Sequence, residues 1–94
     1  MNLLKKFAPR TRTQILAEAK GMLKKSSGAA GAEFDALMSQ TVEVVDRWLS
    51  NCKPEGTDKR GEKTYMFNDA IDAVNMAQCQ VMTAYVLSKQ FAVA

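Results

Sequence analysis

Ninety-four residues carrying +3 net charge, 47% hydrophobic and 24% charged side chains, and no histidine specify one small globular domain rather than a disordered or fibrous chain. The lack of histidine removes the commonest general base near neutral pH, along with Ser-His and Cys-His nucleophile pairs. No run of eighteen apolar residues is present and residues 1–9 are too broken for a signal peptide, so the expectation is a soluble, cytoplasmic protein.

Charge is unevenly spread. From Met1 to Lys25, seven basic residues stand against Glu18 alone, whereas from Ser26 to Ser50 only Arg47 opposes Glu33, Asp35, Glu43 and Asp46. Such a gradient equips the leading third to meet an anion, a membrane surface or the acidic part of another copy.

In chain order, residues 2–8 can form one or two amphipathic turns with Leu3, Leu4 and Phe7 on one side, ended by Pro9. Thr11 or Thr13 can cap a first helix over about 12–25. On it, Ile15, Leu16, Ala19, Met22 and Leu23 recur at helical spacing, and Lys20, Lys24 and Lys25 complement the C-terminal end of the dipole. Ser26-Ser27-Gly28-Ala29-Ala30-Gly31 is a loop. A second helix spans about 32–51, with Phe34, Leu37, Met38, Thr41, Val45, Trp48, Leu49 and Cys52 on its seam. Pro54 and Gly56 break the chain. A third helix, the longest, spans about 61–91.

That last helix carries two adjacent apolar stripes, one through Phe67, Ile71, Val74, Val81 and Tyr85, the other through Ala70, Ala73, Ala77, Ala84, Leu87 and Phe91. The joint stripe is wider than one partner helix covers. The expected fold is therefore all-α: an antiparallel helical hairpin with a shorter basic N-terminal helix against it, oligomerising through the C-terminal helix. No β pattern competes with this reading.

The residues argue for binding rather than catalysis. Cys52 and Cys79 form no metal-binding spacing and read as reduced thiols in or near the core. Asp69 and Asp72 could share a metal but read as the polar face of a helix, so neither metal nor cofactor is expected. The 26–31 loop lacks the lysine and strand of a phosphate loop. Even so, Lys24, Lys25 and Ser27 just before a helix start suit an anion, the alternative being a solvated interhelical loop. Arg10 and Arg12 offer guanidinium forks for phosphate, or else a solubilising surface or salt bridges to Glu43 or Asp46 of a neighbouring copy. Arg60 and Lys63, with Lys59, could wall an anion pocket in an oligomer, and Tyr65 beside them could stack on a nucleobase or pack against protein.

From Phe34 to Lys89 the chain resembles a helical-hairpin family of phage proteins that sequester cyclic oligonucleotide signals made by bacterial anti-phage systems. The resemblance rests on the long helix from Phe34 to Asn51, the step Asp58-Lys59-Arg60, and the pattern Asp69-Ala70-Ile71 followed by Ala73-Val74-Asn75. It implies a non-enzymatic homo-oligomer, often a hexamer, binding cyclic nucleotides between subunits through basic, hydroxyl and aromatic side chains. Arg60 would take the hairpin-arginine position, and Lys25 with Ser27 the Lys-x-hydroxyl pair. The first helix departs from the family, presenting Thr11 and Thr13 and no base-stacking aromatic. Two other readings stand beside this one: a small inhibitor or adaptor covering a host protein, and nonspecific nucleic-acid binding through the basic N-terminal third.

Overall fold

The computed structural model describes residues 7–92, of Ala92 only the backbone. The expected turns over residues 2–8 thus lie largely outside the described residues. The order of elements is β1 (Arg10–Thr11), α1 (Arg12–Ser27), α2 (Gly31–Ser50), β2 (Gly56–Thr57), β3 (Lys63–Tyr65) and α3 (Phe67–Ala92). The fold is largely all-α, three helices with a small sheet at one end.

Helix α1 begins where the sequence supplies a reciprocal cap. The Gln14 N–H donates to Thr11 Oγ at 3.1 Å, and the Thr11 N–H donates to Gln14 Oε1 at 2.9 Å. Thr11, itself buried, is thus the N-cap, and Thr13 is engaged otherwise. Thr11→Ala should destabilise the protein by about 1 kcal/mol, read as a lower urea midpoint at unchanged slope. The helix ends at Gly28, whose φ of 64° is left-handed and whose N–H donates to the Lys24 carbonyl. It runs two residues further than expected, so the loop shrinks to Gly28–Ala30 and α2 starts at Gly31.

Two expectations fail at the other end. The last helix does not start at 61 but at Phe67, and a sheet exists where none was expected. Central β3 pairs antiparallel with β1 (Arg10 opposite Tyr65) and with β2 (Thr57 opposite Lys63). The reason is local. Gly61 takes φ 84°, closing a hairpin tip in which the Asp58 N–H donates to the Glu62 carbonyl at 2.9 Å. Thr64, of high β propensity, then turns inward, and its hydroxyl donates to Glu55 Oε2.

Pairing of β1 with β3 sets the starts of α1 and α3 side by side, with α2 running back between the two ends. The wide stripe of α3 is covered within the chain by two partners. Ala70, Ala73 and Ala77, all fully buried, pack with Ile15 and Ala19 of α1 and Val45 and Leu49 of α2. The small side chains of this stretch thus serve approach inside one chain. Nearer the other end, Leu23, Ala29, Leu37 and Val81 form a second cluster edged by Phe34, Met38, Met82 and Tyr85. Only the last turns of α3 stay uncovered: Val86 and Leu87 are nearly half exposed, and Phe91 is 77% exposed. No helix among the described residues is long and apolar enough to cross a membrane.

Candidate anion-binding site

The expected binding residues do not form one site within a chain. Lys24, Lys25 and Ser27 close α1, whereas Arg10, Arg12, Arg60, Lys63 and Tyr65 gather where it begins. At about 1.5 Å rise per helical residue, the stretch from Arg12 to Lys24 and Ser27 separates the two groups by roughly 18–22 Å.

At the sheet end, the N-terminal arginines are committed to holding the fold. Arg12 makes a bidentate pair with its own chain's Asp46, Nε to Oδ1 at 2.6 Å and Nη2 to Oδ2 at 2.9 Å, where the sequence alone leaves a phosphate, solvent or the Asp46 of a neighbouring copy as alternatives. That bond holds the Asp46 carboxyl below its ordinary range. Lowering in the folded state means the pair stabilises above the unfolded carboxylate pKa of about 3.9 and is lost as acid protonates Asp46. With both side chains nearly half exposed, the contribution is at most ~1 kcal/mol. The stability gap between the parent and Asp46→Asn should therefore hold from pH 7 down to about 4 and shrink as pH falls further, read in urea titrations. A gap independent of pH would contradict it.

Arg10 lies 5.7 Å from the centroid of the Phe67 ring, faces Glu18 at 3.6 Å, and donates to the Ala8 carbonyl. Phe7 tilts against the same ring, with centroids 5.1 Å apart. Tyr65 is half-buried and packs on the core, taking the protein-packing alternative rather than offering a stacking platform. Lys63 and Arg60 are exposed. The Arg60 backbone N–H donates to Asp58 Oδ1 at 2.9 Å.

At the other end, the Ser27 hydroxyl accepts from the Ala29 N–H at 3.1 Å and Ser26 accepts from Gln78 Nε2 at 2.6 Å, so both serines are used in closing the corner. Beside them opens a cleft of about 230 Å³ between α1 and α2, lined by Lys20, Lys24, Ala29, Ala30, Gly31, Phe34 and Asp35. Lys20 and Lys24, one turn apart, both line the α1 wall and supply two cationic side chains beside it. The opposite wall is the start of α2, whose N-cap Ala30 provides no side-chain acceptor. The first N–H groups of that helix therefore have no intrahelical or capping partner. Half-buried Phe34 gives an aromatic surface, and Asp35 on the rim offsets one of the two cations. Lys25 does not line the cleft.

Two further clefts are apolar and without cations. One of about 410 Å³ is lined by Phe7, Pro9, Glu55, Met66, Phe67 and Asn68. One of about 340 Å³ lies on α3 along Met82, Thr83, Val86, Leu87 and Gln90.

Sequence reasoning missed Lys20 and Phe34 as cleft residues. The i, i+4 spacing of Lys20 and Lys24 was the available signal. Among the described residues no group of three or more acids or cysteines could hold a metal ion. Both cysteines are free. Cys52 is half-buried, its thiol pushed up by desolvation, while Cys79 is exposed on α3 rather than in or near the core. No family model, curated protein or solved structure matches this chain.

Proposed function

We propose that this is a non-enzymatic binding protein that holds a phosphate-bearing small ligand in the α1–α2 corner cleft. The observation that carries the reading is the convergence of Lys20, Lys24, an uncapped helix start and Phe34 on one cleft. Ammonium groups and free N–H groups suit phosphate oxygens, and an aromatic face suits a base. At about 230 Å³ the cleft is below the roughly 300–1,000 Å³ of sites that enclose a whole ligand, so it takes part of a nucleotide and leaves the rest outside. Cyclic oligonucleotide signals are the ligands that the hairpin resemblance implies, with sequestration in counter-defence as the purpose.

Copies associating through the uncovered end of α3 would complete the enclosure. Val81, Met82 and Tyr85 lie in the same cluster as Ala29 and Phe34. The exposed Val86, Leu87 and Phe91 are therefore at the corner's end of the molecule, and association there brings the clefts of two copies near one another. Calorimetric titration with cyclic di- and trinucleotides, with light scattering of the same samples, tests both parts. Saturable binding by an oligomer supports the reading, and a monomer binding no member of the series at millimolar concentration overturns it.

A further inference from the structure

Residues 58–62 join β2 to β3, and with Lys63, the first residue of β3, they read Asp-Lys-Arg-Gly-Glu-Lys, with no apolar side chain. Their acids are taken up by hydrogen bonds, Asp58 within the hairpin tip and Glu62 to α1. Asp58 Oδ1 accepts from the N–H groups of Arg60 (2.9 Å) and Glu62 (2.8 Å). Glu62 reaches α1, accepting from the Thr13 N–H and hydroxyl at 3.1–3.2 Å. Their bases do the opposite. Lys59, Arg60 and Lys63 are all exposed, and among the described residues their side chains make no hydrogen bond or ion pair. The tip is thus rigidly bonded from within and presents three uncommitted cations outward.

From this sorting of charge we propose that the β2–β3 hairpin docks on the phosphate backbone of a nucleic acid. The proposal is independent of the corner cleft, which lies at the far end of α1. Hydrogen bonds orient Asp58 and Glu62 without erasing their charge, so the attraction acts at contact, within a Debye length of about 8–10 Å. An acidic protein partner fits less well, because protein interfaces centre on apolar anchors and are depleted in lysine, whereas phosphate contacts are made by lysine and arginine.

Fluorescence anisotropy with a labelled 20-base-pair DNA duplex tests it. With three phosphates neutralised, the affinity of the parent should fall roughly 40-fold between 50 and 200 mM salt. The variant K59E/R60E/K63E should bind at least tenfold more weakly at 50 mM, and K25Q, at an exposed lysine of the opposite end that does not line the cleft, should bind as the parent does. A neutral variant, K59Q/R60Q/K63Q, should also lose most binding, which keeps the test decisive should charge reversal disturb folding. No binding by the parent at 50 mM, or equal binding by the neutral hairpin variant, overturns the proposal. So does displacement of the duplex by polyglutamate at equal charge concentration, which would assign the ridge to an acidic protein.

Discussion

Lys20→Glu combined with Lys24→Glu should reduce affinity for a phosphate-bearing ligand on the order of a hundredfold or more. Each hydrogen bond to a charged group contributes about 1.5–3 kcal/mol, so losing two removes about two to four decades. Reversal also leaves Asp35 and the two new carboxylates facing the ligand together. Both lysines are exposed, so the melting temperature should move little, and a binding defect would not be a folding defect. Phe34→Ala should be milder in charge dependence, weakening ligands with a base while sparing inorganic phosphate. Titration calorimetry of the double variant against the parent checks the main effect, and unchanged affinity would place the ligand elsewhere.

Ile15→Ala should give the largest loss of stability among single truncations at the sheet end of the core. Ile15 is fully buried and packs where α1, α2 and α3 meet, with Val45 and the alanines of α3 around it. Truncation removes transfer energy and leaves a cavity, costing about 2–5 kcal/mol. Total stability for a domain of this size is on the order of 5–15 kcal/mol, so the variant loses a large share of it. The melting temperature should fall by roughly 10 °C or more, measured by circular dichroism. A fall of only a degree or two would mean that α1 packs loosely on the hairpin.

The helices were legible because their apolar residues keep one period over many turns. Ile15, Ala19 and Leu23 on α1, and Leu37, Thr41, Val45 and Leu49 on α2, are the buried residues of those helices, and all had been placed on the inward seams. The sheet was not legible, since strands of two or three residues are too short to show alternation. Lys63-Thr64-Tyr65 therefore merged with the helical pattern that begins at Phe67. That Arg12 meets Asp46 and Thr13 meets Glu62 within one chain was hidden for another reason. Asp46 is 34 positions from Arg12 and Glu62 is 49 from Thr13, so both pairings exist only once the helices are docked. The corner cleft was half visible: Lys24 and the following helix start were recognised, while Phe34 was assigned wholly to the hydrophobic seam.

The arrangement of the small sheet restricts how this molecule can polymerise. Its one three-residue strand sits in the middle, and the two outer strands offer only two residues each to an incoming chain. Templated growth by strand addition needs a longer open border than that. Growth by strand addition is thereby disfavoured, and helix surfaces are left as the larger faces through which copies could meet.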